Sequence, residues 1–315
     1  MTDPSDPGEG KNSDSLKASP AERLRAATTP CRLKITWPAG PKTRSPRRMP
    51  VTDDRPVGPA GTLTDSKHEA YRTLTALRRE LISFWRTWSL PFPDPPVRLI
   101  TRDGLADITA TVTLYGEKLA SAVGDLDEHY SASKREAAQR LGPEDYWQGD
   151  PVSLADRFEF ALQSAPVGPQ GELARLCPSF YEHEELRVLK MYRLAANMAD
   201  AQFSDELARR VGHLVGRLTG TDLFGRPKVF QDKAVHDLEG FCNRYRRLRP
   251  SSDPVLDDLV GQTENALKTV SPKYLRDTEK VRTQFATRLR QVQSLLEAVR
   301  TRLSVPSDSV EDDRH

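Results

Sequence analysis

Hydrophobic residues recur at helical spacing along most of the chain, within stretches that contain no proline. Because proline in a helix interior costs about 3 kcal/mol, such stretches are where long helices can form. The longest proline-free stretches beyond residue 59 are 60–90, 97–142, 179–226, 228–249, 255–271 and 273–305. They predict an all-α fold, an elongated helical bundle with three helices of about 30 to 40 residues.

The stretch 104–141 has the clearest pattern. Its apolar residues are separated by alternating steps of three and four, a heptad seam that is typical of coiled-coil helices. The seam comprises Leu105, Ile108, Val112, Tyr115, Leu119, Ala122 and Leu126. Gly142-Pro143 ends the predicted helix, since glycine is common just past a helix terminus and proline stops continuation.

Five further stretches carry similar apolar stripes. The first begins with a capping box of Ser66 and Glu69 and places Trp85 and Trp88 in the core. The others are predicted at Ser179–Leu218, Asp232–Leu248, Pro254–Val270 and Lys273–Ser304. A capping side chain followed by proline at the first helical position supports three boundaries: Asp150-Pro151, Asp253-Pro254 and Ser271-Pro272.

Two short segments are the candidates for strands. Residues 158–162 alternate as a strand does, but they fit a helix equally well, and we leave both alternatives open. Residues 97–100 are the other candidate. A small two-stranded element that joins these two segments is consistent with the pattern.

Small residues recur every four positions on two of the long helices. Because a mid-helix glycine costs about 0.5 to 1 kcal/mol relative to alanine, such a row indicates a compensating close approach of another helix. We therefore predict that the two helices cross on these faces, the alternative being that the glycines are neutral surface positions. The close-packing positions are Gly116, Ala120 and Gly124 on the earlier helix and Ser204, Ala208, Gly212 and Gly216 on the later one.

Residues 1–62 differ from the rest of the chain. They contain ten prolines and 11 Lys/Arg against 7 Asp/Glu, a composition that buries too little apolar surface to offset ordering entropy. We predict a disordered basic leader over 1–62, a helical domain over 63–304 and a disordered acidic tail over 305–315. The local exception is Ser19-Pro20-Ala21-Glu22, which has the signals to start a short helix ending at Ala27.

Composition narrows the class of protein. The 315 residues have a mean hydropathy of −0.62 and no apolar run long enough for a membrane span. The first ten residues lack the basic start and apolar stretch of a secretory signal. Three widely spaced cysteines cannot form a disulfide framework. A cytoplasmic protein without a membrane partner is the prediction.

The sequence contains no recognisable catalytic motif, so we predict no enzyme, no cofactor and no small-molecule substrate. A phosphate-binding loop and a nucleophile elbow are both absent. His183-Glu184-Glu185-Leu186-Arg187 comes close to a zinc-protease signature, but Arg187 stands where the second histidine is required. None of the six histidines has a glutamate three residues before it, which excludes the usual di-iron ligand set and leaves no metal site.

The candidate binding surface is a set of cations around one predicted helix. Their role is either contact with an anion or nucleic acid, or simple compensation of the helix C-terminus, where cations are stabilising. The set comprises Arg226, Lys228, Lys233, Arg244, Arg246, Arg247 and Arg249. Tyr146-Trp147, in a predicted loop, is either an exposed contact or the cover of a core end.

Several segments together resemble a family of uncharacterised bacterial all-helical proteins with no assigned activity. The resemblance lies in residues 225–230, 241–248 and Leu275-Arg276-Asp277, and in the stretch from Pro91 to Tyr146 with residues 177–187. It covers nearly all of 49–304 and transfers no functional residue. Since it begins near Met49, residues 1–48 are either an extension ahead of a start at Met49 or a genuine basic tail.

The patterns together predict a helical interaction or scaffold protein. Long apolar seams exceed what a compact globule needs, and they commonly bury themselves against another chain. The expected partner is therefore another protein or a second copy of this chain. The alternative is a nucleic-acid-associated protein that uses residues 226–249 and the basic leader. An enzyme whose site assembles only in three dimensions is a third hypothesis.

Overall fold

The protein is mostly helical in a computed structural model, which describes residues 18–37, 69–141, 154–169, 171–220, 232–248 and 253–304. The helices are α1 (Pro20–Ala27), α2 (Glu69–Thr87), α3 (Leu105–Leu141), α4 (Leu173–Leu176), α5 (Pro178–Thr219), α6 (Asp232–Leu248), α7 (Pro254–Lys268), α8 (Pro272–Asp277) and α9 (Glu279–Ser304). The strands are β1 (Thr28–Thr36), β2 (Leu90–Pro91), β3 (Val97–Thr101) and β4 (Glu159–Ser164). No helix in these ranges is long and apolar enough to cross a membrane.

The described residues divide into two compact units. The larger unit contains residues up to 29, residues 90–102 and those from 167 onward. Its central element is α5, against which α1, α6, α9 and the short strand β2 pack. The β2–β3 pair is antiparallel, with Leu90 opposite Leu99. The core of this unit is aromatic around Phe203, whose ring meets those of Phe241 and Tyr245 edge to face.

The smaller unit contains residues 30–89 and 103–166. Helix α3 packs against α2 and against β4. Strand β4 pairs antiparallel with β1, with Cys31 opposite Ser164 and Thr36 opposite Glu159. Trp37, just past β1, lies 4.8 Å from Phe158 between ring centroids. Burial of these apolar groups is the main source of stability of such a small unit.

The helix predictions are confirmed over the described residues, except at Thr278, which interrupts the predicted helix 273–304. Helices α3 and α5 follow the bounds that the apolar seams predict, and α6 matches its predicted bounds. Asp253 caps α7 by accepting from the backbone N–H of Val255 at 2.8 Å, and Ser271 caps α8 by accepting from Tyr274 N–H at 3.4 Å. The predicted caps at Ser66 and at Asp150-Pro151 lie outside the described residues.

The prediction of disorder over 1–62 is wrong for residues 18–37. These residues form α1 and β1, and they bury Leu24 and Cys31 almost completely. The averaged composition of the leader hides this segment, because its stability comes from partners far along the chain. Leu33, for example, lies opposite Leu162 in the β1–β4 pair. The remainder of 1–62 and residues 305–315 lie outside the described part.

Three further details differ from the predictions. Residues 158–162 do form a strand, but β4 pairs with β1, and 97–100 pair with β2. The predicted helix 273–304 is interrupted, because Thr278 adopts an extended backbone, with φ −125° and ψ 104°, between α8 and α9. The coiled-coil bundle is not confirmed, since the seam of α3 packs on α2 and β4 of its own unit. The fold is helical with short antiparallel strands.

Candidate functional site

An open cleft lies in the larger unit between the start of α1 and the first half of α5. Its volume is about 600 Å³. The floor is mainly apolar, and two cations lie along one side. The lining residues are Ser19, Pro20 and Ala21 from α1, with Leu186, Leu189, Lys190, Arg193, Ala196 and Asn197 from α5.

The local sequence explains why α1 starts at this wall of the cleft. Ser19 and Glu22 form a reciprocal capping box: Ser19 Oγ accepts from the Glu22 N–H at 3.3 Å, and Glu22 Oε2 accepts from the Ser19 N–H at 2.7 Å. The Ser19 N–H, and to a smaller extent the Ser19 hydroxyl, hold the pKa of the Glu22 carboxyl below its usual value. Pro20 occupies the first helical position, where its missing N–H costs nothing.

A bidentate ion pair joins α1 to α5 beside the cleft. The guanidinium of Arg25 donates to both carboxylate oxygens of Glu185, at 2.5 and 3.0 Å. The bond from Arg25 lowers the pKa of Glu185. Ala21 and Leu24 are buried on the inner face of α1, so α1 is held by apolar contact as well as by charge. This attachment is what gives the cleft its second wall.

The cleft carries positive charge. Lys190 and Arg193 are exposed, and neither forms a hydrogen bond or an ion pair with another residue that the structure describes. Arg187, by contrast, bonds Glu184 at 2.9 Å. An anionic group is therefore the favoured polar component of any occupant.

Exposed apolar side chains accompany this charge. Leu186, on the cleft, is 61% exposed. On the neighbouring face of the same half of α5, Phe180 is 49%, Leu194 52% and Met198 42% exposed. Exposed apolar side chains are ordinary singly, but several on one helix segment are typical of contact surfaces for another chain.

A buried carboxyl lies at the middle of α5. Asp200 is 8% exposed, and burial, with the nearby charge of Asp253, raises its pKa to about 7. The backbone N–H of Asp253 and the guanidinium of Arg302 both act in the opposite direction. Arg302 itself forms an ion pair with Asp253. Because this carboxyl changes charge near neutral pH, it couples folding stability to pH.

The small-residue positions do not pack in the predicted way. A side chain at Gly116 would meet the backbone oxygen of Phe160, 3.9 Å from its Cβ, so this position faces β4. Ala120 and Gly124 are exposed and line a groove of about 260 Å³ in the smaller unit. Gly124 would allow a Cβ with nothing within 4 Å.

On α5 the corresponding row faces a different neighbour. A Cβ at Gly212 would lie 3.8 Å from the side chain of Gln293 on α9. Ser204 is fully buried, Ala208 is half-buried and Gly216 is exposed. The predicted crossing of the two glycine-bearing faces is therefore wrong, because the neighbours are β4 for Gly116 and α9 for Gly212. A row of small side chains indicates that another segment packs closely, but the spacing of the row does not identify that segment.

The predicted basic surface is partly neutralised. Arg244 forms an ion pair with Glu206, and the guanidinium of Arg246 bonds both Asp257 at 2.7 Å and Glu264 at 3.0 Å. Lys233 and Arg247 are exposed. Arg226, Lys228 and Arg249, like Tyr146-Trp147, lie outside the described residues. The charges of Arg244 and Arg246 hold α6 to its neighbours, and nucleic-acid binding through this set stays a prediction.

The described residues contain no group of three His, Cys, Asp or Glu side chains that could hold a metal ion. His183 is exposed. Its neighbour Glu184 forms an ion pair with Arg187, and Glu185 forms one with Arg25 of α1. The segment that contains His183 thus serves to attach α1 to α5.

Cys242 is buried, which raises the pKa of its thiol to about 12.

Sequence reasoning missed the cleft. The sequence does contain a signal for one wall of the cleft. Leu186, Lys190, Arg193 and Asn197 follow helical spacing, so they share a face that carries two cations and no acidic residue. The second wall could not be foreseen, because α1 comes about 160 residues earlier in the chain.

Comparisons with protein-family models, with curated proteins and with solved structures find no match to this chain. The resemblance to a family of bacterial helical proteins accordingly stays a prediction.

Proposed function

We propose that this protein binds other polypeptide chains, as an interaction or scaffold protein, and that the cleft between α1 and α5 is a docking site. The occupant that the cleft favours is a segment with acidic and apolar side chains. One observation carries this proposal: Lys190 and Arg193 flank an apolar cleft of about 600 Å³ in which Leu186 is 61% exposed.

The chemistry of the cleft argues for a peptide-like occupant. Leu186, Leu189 and Ala196 offer apolar surface, whose removal from water contributes about 25 cal/mol per Å². The two cations give direction and selectivity, since charge complementarity mainly determines which partner binds and how fast. The exposed apolar face of Phe180, Leu194 and Met198 provides a second contact area on the same half of α5. Two contact areas on one helix suit a scaffold.

The test uses defined peptides as probes. Three labelled helical peptides of equal length would be titrated against the full chain: one with leucine and glutamate faces, one with leucine and lysine faces, and one with glutamate and glutamine only. We expect binding of the leucine–glutamate peptide alone, weakened by salt. In the variant Lys190→Glu/Arg193→Glu its affinity should fall at least about tenfold, because two attractions become repulsions.

The matched control is Arg209→Glu/Arg217→Glu, which reverses two exposed cations on the second half of the same helix. This variant should bind as the native chain does. Equal binding of the lysine peptide, or unchanged affinity in a folded Lys190→Glu/Arg193→Glu variant, would contradict the proposal. Sedimentation of the unliganded chain distinguishes a second copy as the occupant, since it would appear as a dimer that the charge reversal dissociates.

A further inference from the structure

Helix α9 runs antiparallel to α5 and ends close to the cleft. Along the pair, Gln293 lies beside Gly212 and Arg300 Nε donates to Asp205 Oδ1 at 2.7 Å. Leu303 and Ala201 line one groove, of about 360 Å³. The C-terminal end of α9 therefore lies nearer the first half of α5 than its N-terminal end does. The C-terminal end of α9, at Ser304, therefore lies near Ala201.

The end of α9 and the cleft share one face of α5. The residues of this face are Leu186, Lys190, Arg193, Asn197, Ala201 and Ser204. Successive residues in this set are three or four positions apart, which places them on one side of the helix. The first four line the cleft, and the last two line the groove with α9. One face of α5 therefore contacts the end of α9 at Ala201 and Ser204 and lines the open cleft from Asn197 to Leu186.

The segment that follows α9 is long enough to reach the cleft. From Ala201 to Arg193 is eight residues of helix, about 12 Å at 1.5 Å per residue, and Lys190 is about 17 Å away. An extended chain spans up to about 3.3 Å per residue. Ser304 still belongs to α9, so the extended part is counted from Val305: six residues span about 20 Å, and the segment 305–315 is therefore long enough.

The composition of this segment complements the cleft. Residues 305–315 contain four acidic side chains, Asp308, Glu311, Asp312 and Asp313, against one arginine. Val305 and Val310 supply apolar side chains. The cleft offers Lys190 and Arg193 over an apolar floor. The segment thus has the two properties, acidic and apolar, that the cleft favours in an occupant.

We propose that residues 305–315 of the same chain occupy the α1–α5 cleft and compete there with the partner. The docking of the segment stands on the geometry above, whereas the competition rests on the proposed function. An intramolecular occupant lowers the apparent affinity of a partner by the fraction of molecules in which the cleft is filled. A partner can therefore bind in the cleft only after it displaces residues 305–315.

Photo-crosslinking of the full chain tests the docking. A benzophenone amino acid would replace Leu186, on the cleft, and in a matched control Leu194, which is 52% exposed on another face of α5. We expect position 186 to crosslink within one molecule to residues 305–315, and position 194 not to do so. Neutralising the segment with Asp308→Asn/Glu311→Gln/Asp312→Asn/Asp313→Asn should abolish the crosslink. Crosslinks from 186 to residues 1–17 or to a second molecule, or none to 305–315, would overturn the proposal.

Titration with the leucine–glutamate peptide tests the competition. The neutralised variant should bind this peptide about tenfold more tightly than the native chain, since its cleft is no longer filled. A crosslink without peptide binding in either chain would retain the docking and refute the proposed function. Peptide binding of equal strength in both chains, without the crosslink, would retain the function and refute the intramolecular occupant.

Discussion

The two halves of α5 have similar apolar content but very different neighbours. The second half packs against α6 and α9, and Phe203 and Leu207 are almost completely buried there. The first half contacts α1 and, through Tyr192, the ring of Phe92 at 5.4 Å between centroids. Its outer faces leave Phe180 and Leu194 about half exposed.

This difference separates a structural part of the helix from an available one. Ion pairs occur in both halves: Glu206, in the second half, bonds Arg210 and Arg244, and Glu185, in the first half, bonds Arg25. In the first half, Lys190 and Arg193 have no ion-pair partner among the described residues. Burial stabilises the second half, whereas exposed apolar groups beside the cations of the cleft make the first half suited to binding.

The largest expected effect comes from removing residues 1–48, so that the chain begins at Met49. This deletion removes α1, one wall of the cleft, and β1, the partner of β4. Burial of Leu24 and Cys31 is lost, and β4 loses the ladder it forms with β1. Because an unpaired strand edge promotes association, we expect destabilisation by about 3 kcal/mol or more and aggregation.

Urea unfolding and light scattering measure this outcome. The control is a chain that begins at residue 18, which retains α1 and β1 and should behave as the native chain does. If the chain that begins at Met49 unfolds at the native urea concentration and stays monomeric, α1 and β1 contribute no stability.

A matched pair of phenylalanine substitutions tests the contrast between the two halves directly. Phe203→Ala removes a buried ring, 5% exposed, that contacts two other aromatic rings, and should cost about 3 to 5 kcal/mol. Phe180→Ala removes a ring that is 49% exposed and should cost less than about 1 kcal/mol. Urea midpoints at constant m-value give both numbers. Similar costs for the two substitutions would mean that the halves are equally buried in solution.

The smallest expected effect concerns Asp200, at the boundary between the halves. Its pKa is about 7 in the folded protein and 3.8 in the reference state, so the folded protein binds the extra proton between these values. The contribution of Asp200 to the free energy of unfolding should therefore fall as pH rises from about 4 to about 7, and stay low above pH 7. At about 1.4 kcal/mol per pH unit the loss is at most about 4 kcal/mol.

Asp200→Asn removes this titration while keeping an acceptor for the Asp253 N–H. We expect the variant to be more stable than the native chain by about 2 kcal/mol at pH 8 and to show no such gain at pH 4. Thermal unfolding from pH 4 to pH 8 measures the difference. A constant difference between the two proteins across this range would exclude Asp200 as the titrating group.

The helices could be predicted because their signals are local. The seam from Leu105 to Leu126, the stripe ending at Leu218 and the proline-flanked caps at Asp253 and Ser271 all act within a few turns of chain. Even the short helix that begins after Ser19 follows from its capping box and Pro20. Such signals depend only on nearby residues, and the fold does not alter them.

Long-range pairing could not be predicted. The sequence around Cys31 has too little apolar content to fold alone, and it forms a strand through pairing with distant segments such as β4, more than 120 residues later. The glycine rows indicated close approach but not the neighbour, which proved to be β4 for Gly116 and α9 for Gly212. In each case the local sequence does not identify the distant segment that packs against it.

The sequence alone therefore determined most of the helical segments of this chain, apart from the break at Thr278, because periodicity, proline and capping are properties of short segments. Tertiary structure alone decided which helix faces are covered. It paired Glu185 with Arg25 and so closed one side of a cleft, and it left Lys190, Arg193 and Leu186 at the open side. Burial and charge compensation depend on neighbours far apart in the chain, and for that reason the binding surface emerged only from the folded molecule.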